Sequence, residues 1–431
     1  MNAQANNTND KVRELQRKLY LSAKANKRRR FHALYDKVSR YDILQEAWLR
    51  VRANRGVGGI DQMSLKDVEE YGVFRMLVEI KESLERGKYH PSPVRRVYIP
   101  KKDGGKRPLG IPTVKDRIVQ MATKIVIEPI FEAVFKPCSY GFRPKRSAHQ
   151  AIETIRQRCK DKGWWVLDAD IKGYFDSINH DKLMQMVGRR ISDRRILKLI
   201  SKWLKAGVME EGEYRQSNIG APQGGVISPL LSNIYLNYFD TIWQEEYEHL
   251  GTLVRYADDF VIISRTRKQI SHAYATVKMI MRKLDLTIHE GKTKLVNLWN
   301  GKQGFDFLGF HHRWNQKRNK AGKTYYVFAQ IPSAKAMKKM RQSVRELLGN
   351  RSTLKQDMKE LIEVLNRKIV GWKNYYGLIY AKAKLNQIDW YIINRFALWY
   401  NHKHQRKGRH KRRPKIYRNI YGLGLKKLAA Y

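Results

Sequence analysis

Two adjacent carboxylates in Tyr256-Ala257-Asp258-Asp259 stand between the apolar runs Leu253-Val254 and Phe260-Val261-Ile262-Ile263. The flanks read as two short buried strands and the acids as the turn of a hairpin. Two like charges about 4 Å apart repel by roughly 4 kcal/mol at an effective dielectric near 20, so a cation is the natural remedy. A second acidic strand lies upstream. In Trp165-Val166-Leu167-Asp168-Ala169-Asp170 the two acids share one face of a strand, with Leu167 and Ala169 on the other. Hard divalent ions such as magnesium take oxygen ligands, commonly one or two carboxylates together with substrate phosphate oxygens. One aspartate from this strand and two from the hairpin would hold two ions about 4 Å apart, an arrangement that serves in-line phosphoryl transfer.

The elements around these acids must bind a polyanion as well as place the carboxylates. The 431 residues carry 86 Lys and Arg against 40 Asp and Glu, a formal charge of +46. So large an excess would repel itself in a free globule and is most simply balanced by phosphates. No apolar run approaches the roughly 18 residues that span a bilayer, and Asn2 to Asp10 is polar, without a signal-peptide core. The expectation is a cytoplasmic protein that does not engage membranes. Cys138 and Cys159 are the only cysteines, which excludes a disulfide framework and a four-cysteine zinc module.

Residues 11–50 read as basic helix, with Leu15, Leu19 and Leu21 on one side and Lys27-Arg28-Arg29-Arg30 following. Residues 113–165 read as mostly helical, 165–310 alternate strands and helices in an α+β pattern, and the chain beyond about 332 is helical again. Ser228-Pro229 marks a helix start, Ser as cap and Pro in the first turn, followed by the stripe Leu230, Ile234, Tyr238. Before it, Gly224 and Gly225 lack a Cβ and would let a nucleotide or template approach the backbone. The turn Asp103-Gly104-Gly105 is flanked by cations, which a triphosphate needs. Thr353-Leu354-Lys355-Gln356 fits a capping box, and Leu361, Leu365, Ile369, Trp372 and Tyr376 form one apolar helical face. Residues 401–431 hold eleven Lys and Arg and no acid.

The order Arg107-Pro108-Leu109-Gly110-Ile111-Pro112, Ser139-Tyr140-Gly141-Phe142-Arg143-Pro144, Asp170 to Asp176, Pro222-Gln223-Gly224-Gly225, Tyr256 to Asp259 and Phe307-Leu308-Gly309-Phe310 resembles the bacterial group II intron reverse transcriptases. The resemblance covers about residues 11 to 400. It implies a right-hand polymerase, fingers and palm with an antiparallel sheet, followed by an all-α thumb that doubles as the maturase domain. The implied division is a basic helical extension and start of the fingers in 1–90, fingers and palm in 91–315, thumb in 316–400 and a basic nucleic-acid-binding tail in 401–431.

The resemblance also implies roles. Asp170, Asp258 and Asp259 would hold two Mg2+ ions, with the Ile171 carbonyl as a further oxygen; Asp168 lies off the metal position. Phe175, five residues after Asp170, would lie under the incoming sugar and exclude a ribose 2′-hydroxyl. Lys101 and Arg107 would clamp the triphosphate and Gln223 would meet the incoming dNTP. Arg143 would contact template or brace the fingers, and Phe307 to Phe310 would support the primer end. Lys292, ahead of Lys294 as the alternative, would protonate pyrophosphate as general acid. The implied partners are an RNA template, the intron RNA, a DNA or RNA primer and dNTPs; a homodimer is left open. Gly371-Trp372-Lys373-Asn374-Tyr375-Tyr376-Gly377 resembles the maturase signature. One departure stands out: there is no Cys pair after Cys159 for the zinc-braced endonuclease that ends many relatives, and His402, His404 and His410 read as part of a basic face. Two rival readings use the same residues, a splicing-only maturase with vestigial polymerase and a domesticated reverse transcriptase in phage defence.

Overall fold

The apolar runs around the acidic tetrapeptide become strands of a four-stranded sheet in a computed structural model. The structure describes residues 2–100, 105–210, 213–215, 220, 224–319, 321–405 and 413–429. Its strands are β1 (Val94–Pro100), β2 (Lys106–Ile111), β3 (Trp165–Ala169), β4 (Val208–Glu210), β5 (Glu213–Arg215), β6 (Thr252–Tyr256), β7 (Asp259–Ser264), β8 (Lys294–Asn297), β9 (Gly304–Phe307), β10 (Phe310–Arg318) and β11 (Thr324–Pro332). They form three sheets of order β2-β1-β4-β5, β6-β7-β3-β8 and β11-β10-β9. With the intervening helices this is the expected mixture of α and β.

The chain divides into two units interleaved along the sequence. The first comprises Met1–Ser147, Ala169–Ile262 and Ser271–Thr293, the second Ala148–Asp168, Ile263–Ile270 and Lys294–Tyr431. In the first, the helix Val114–Glu132 is buried along nearly its whole length. Thr113 caps it by accepting from the Asp116 amide. The N-terminal helix Asn2–Ala25 presents Val12, Leu19 and Ala23 to the core, and Gln16 Nε2 donates to the Ile125 carbonyl at 3.0 Å. Leu21 is not on that face and is half exposed, since two residues beyond Leu19 the helix has turned about 200°. Ser228 is already helical, with Ile227 in the cap position and Pro229 in the first turn, so the hydroxyl does not cap this helix as expected.

The second unit is cored by Met337, Val344, Leu361, Leu365, Ile369, Ile392 and Phe396, with Trp372 and Tyr376 packed against them. The apolar face expected over 361–376 therefore exists, on the helix Met358–Tyr376. The expected capping box does not. Residues Arg351–Lys355 form a separate 3-10 turn, where Thr353 Oγ1 donates to Asn350 O and the Thr353 carbonyl accepts from Trp399 Nε1. Its hydroxyl is thereby committed before the helix begins at Met358. Beyond residue 413, Ile416, Ile420, Leu425 and Leu428 join the same core, and the Asp389 carboxylate accepts from the amides of Leu428 and Ala429, both at 3.0 Å.

Candidate active site

Asp258 sits in a two-residue hairpin loop between β6 and β7, and Asp259 is the first residue of β7. The other loop residue, Ala257, has φ of 59°, the left-handed region glycine usually fills. Its surroundings hold it there. Arg255 Nη1 donates to the Ala257 carbonyl at 2.7 Å, and a Cβ on Gly141 would lie 2.4 Å from the Ala257 nitrogen. Position 141 thus requires glycine because the hairpin tip lies against it. Arg255 itself is fully buried. It donates to Asp240, to Asn233 Oδ1 at 3.1 Å and to Ser139 Oγ at 2.8 Å. Burial works against its charge, and the Asp240 carboxylate outweighs that and raises the guanidinium above its ordinary value.

Asp170 is the first residue beyond β3. There the chain makes an antiparallel bridge, Ile171 opposite Ile288: the Lys172 amide donates to Thr287 O and the His289 amide to Asp170 O, both at 2.8 Å. In such a pair the Ile171 amide and carbonyl point to the opposite edge. The bridge also fixes Lys292, whose amide donates to His289 O and whose Nζ lies 3.0 Å from Asp170 Oδ2. Lys294 is differently placed, across the ladder from Asp168. Of the two lysines, Lys292 is the one brought to Asp170.

Beyond Asp170 the chain turns at Gly173, φ 55°, into the 3-10 turn Tyr174–Ser177. The Tyr174 hydroxyl donates to Ser232 O at 2.9 Å on the helix Ser228–Ile242. Burial pushes that hydroxyl far above its usual range; the bond to Ser232 and Arg255 oppose the shift, and Asp258 adds to it. Asn233, next to Ser232, receives Arg255 and donates to Gly141 O at 2.9 Å. One buried network therefore runs from the Asp170 segment through Ser232 and Asn233 to the hairpin tip. Phe175 is half-buried beside Tyr174, ring centroids 5.2 Å apart.

Among the described residues, no three acidic, histidine or cysteine side chains already stand close enough to hold an ion. Carboxylates without a cation repel one another, and Asp170 meets Lys292 instead. Lys101 and Gln223 lie outside the described residues, as do the Arg107 side chain and His410. Arg143 is a buried brace: it pairs with Glu132 at 2.6 Å and donates to the carbonyls of Lys136 and Ser139. At Gly224, φ 116°, a Cβ would fall 2.5 Å from Gly110 O, so the close approach there is the chain's own β2. His404 stacks near Tyr400 at 4.3 Å.

The turn Phe307 to Phe310 is likewise met from within. The Tyr375 hydroxyl donates to Leu308 O at 2.8 Å, Phe310 packs on Tyr375 and Tyr376, and a Cβ on Gly309, φ 81°, would lie 2.6 Å from the Tyr376 hydroxyl. Gly309→Ala is expected to cost about 1–2 kcal/mol from the backbone alone, more as Tyr376 is displaced. A urea melt of the variant at wild-type midpoint would contradict this packing. The sequence carried no signal for Asp240, Asn233 or Tyr174 as partners, because a buried polar pair has no fixed spacing.

Two family models match the chain: "Reverse transcriptase (RNA-dependent DNA polymerase)" over residues 99–312 and "Group II intron, maturase-specific domain" over residues 337–417. Protein YkfC of Escherichia coli K12 is 37% identical over 75% of this chain and 93% of its own length. Group II intron-encoded protein LtrA of Lactococcus lactis subsp. cremoris is 30% identical over 84% of this chain and 72% of its own. The chain belongs to the group II intron reverse transcriptase–maturase family. This reverse transcriptase–maturase is an RNA-directed DNA polymerase that also carries the splicing-associated domain, and the matched maturase model leaves the phage-defence reading disfavoured. A solved telomerase chain from Candida albicans aligns at a TM-score of 0.43 and 13% identity over 84% of this chain and 66% of its own, too weakly to bear on the argument. None of the described helices is long and apolar enough to cross a membrane.

Proposed function

We propose that Asp170, Asp258 and Asp259, with the Ile171 carbonyl, hold two magnesium ions while the chain extends a DNA or RNA primer with dNTPs along an RNA template. Bound there, the ions would supply positive charge at the attacking 3′ oxygen and at the departing pyrophosphate. The reading is carried by the buried network from Tyr174 through Ser232, Asn233 and Arg255 to Ala257, which ties the two acidic segments to one helix. The Ile171 carbonyl, turned away from the 287–289 segment, suits the same donor set. Lys292, whose Nζ lies 3.0 Å from Asp170 Oδ2, would protonate the departing pyrophosphate. Lys101, Arg107 and Gln223 would grip the incoming nucleotide. In this reading residues 91–315 act as fingers and palm, 316–400 as thumb, 1–90 as the basic extension and 401–431 as a basic tail on the cognate intron RNA, in the bacterial cytoplasm.

Primer extension on an RNA template with Mg2+ and dNTPs tests the proposal directly. Intron splicing by a wild-type protein that incorporates no dNTP would overturn it in favour of the splicing-only maturase. Phe175→Ala is expected to admit ribonucleotides, because the ring that crowds the sugar's 2′ position is gone. Unchanged dNTP-over-rNTP selectivity would remove Phe175 from that role.

A further inference from the structure

Trp299 exposes 67% of its surface at the tip of the loop between β8 and β9. A large aromatic ring presented to water in this way is unusual for a loop that is tightly built. The Leu298 amide donates to Trp164 O at 2.8 Å, Trp299 N to Asn297 Oδ1 and Lys302 N to Asn300 Oδ1 at 3.0 Å, and the Gly301 amide to Leu298 O at 3.2 Å. Gly301, φ 65°, closes the loop against the Trp314 carbonyl. The ring makes a T-shaped pair with Trp164, centroids 4.8 Å apart and planes at 73°, and Trp164 is backed by Trp314 at 5.7 Å. The loop therefore holds one indole with most of its surface open to solvent.

The chain segments that lead to Trp164 and Trp299, and the neighbouring 264–268, are rich in cations. Arg267 lies over the Trp165 ring at 5.9 Å, and Arg265 reaches Asp161 at 3.3 Å, in the turn that leads to Trp164. Residues 157–165, 264–268 and 298–303 together hold seven Lys and Arg and a single acid, Asp161. An apolar protein partner would not call for that charge, whereas phosphates would. Within a duplex the base faces are already stacked on one another, so away from its ends an unpaired strand is what offers one to Trp299.

We propose that Trp299 is a stacking platform for an unpaired base of single-stranded RNA, with Arg267 and its neighbouring cations on the adjoining phosphates. The assignment to RNA rests on the chain being RNA-directed, and it adds a contact separate from the aspartate site. Base-on-aromatic stacking contributes about 1–3 kcal/mol by alanine substitution, a loss of about 5-fold to about 150-fold in affinity.

The test is equilibrium binding of a labelled oligouridylate to the full chain already saturated with a blunt template–primer duplex. Trp299→Ala should weaken oligouridylate by that factor, and Trp299→Phe should restore most of it. Duplex affinity and primer extension should stay at wild-type levels, so failure of the polymerase reading would register separately. An oligouridylate carrying 5-bromouridine should cross-link to the peptide containing Trp299 in the unsubstituted protein, which keeps the test alive if the alanine variant folds poorly. Unchanged oligouridylate affinity in a folded Trp299→Ala, an equal loss for duplex, or cross-links confined to other peptides would overturn the proposal. So would conversion of a dimer to monomer in sedimentation with RNA affinity intact, which would make the patch a protein–protein surface.

Discussion

Alanine at Asp258 or Asp259 is expected to lower primer extension by about three orders of magnitude, while RNA affinity should stay within a few-fold of wild type. Each carboxylate sits at the hairpin tip, Asp258 half-buried and Asp259 exposed, so neither substitution leaves a cavity in the core. The loss falls on the transition state: a missing metal-binding carboxylate removes several kcal/mol of charge stabilisation, and roughly 4 kcal/mol corresponds to about a thousandfold in rate. Binding does not suffer in the same way, because removing a negative charge from a chain of +46 only favours a polyanion. Single-turnover extension and filter binding on the same preparations separate the two quantities. Robust cDNA synthesis by the double variant would refute the metal-binding role, and a parallel collapse of RNA binding would point to misfolding instead.

Asp240→Ala is expected to be the most damaging substitution for stability, at about 3–5 kcal/mol, because it strands a buried charge. Asp240 and Arg255 have no exposed side-chain surface, and Arg255 Nε lies 2.7 Å from Asp240 Oδ1. Asp240 is not among the groups that touch substrate, yet activity should fall with stability, since the same guanidinium holds the Ala257 carbonyl and Asn233. Replacing both partners, as in Asp240→Leu with Arg255→Met, should recover a good part of the stability without recovering the hairpin-tip geometry. Chemical denaturation alongside primer extension resolves these outcomes. A single variant with unchanged midpoint would show that the pair is not the clamp described.

Both acidic segments, the apolar runs of β6 and β7 and the face over 361–376 were legible because each is a local pattern in the sequence. Leu21 misled because a residue two beyond Leu19 lies on the far side of a helix, whatever packs there. Thr353 misled because capping spacing is satisfied by several registers, and distant packing through Asn350 and Trp399 chose another. Glycines were read as places where a nucleotide, template or primer comes close, but sequence gives no hint of what packs there within the fold. At Gly224 and Gly309 it is the chain itself, through Gly110 and Tyr376. The pairing of Lys292 rather than Lys294 with Asp170 needed the Ile171–Ile288 bridge, which joins segments more than a hundred residues apart.

The interleaving of the two units has a consequence for synthesis on the ribosome. The helix Ala148–Lys160 buries Ala151, Ile152, Ile155 and Cys159 within the second unit, whose main portion begins only at Lys294. After residue 168 a further 125 residues (169–293) must be translated before that portion begins. At roughly 5–20 residues per second this is about 6–25 s during which the nascent helix lacks its final companions. Slowing elongation downstream of residue 168 should therefore raise the demand for chaperones that shield newly made apolar segments.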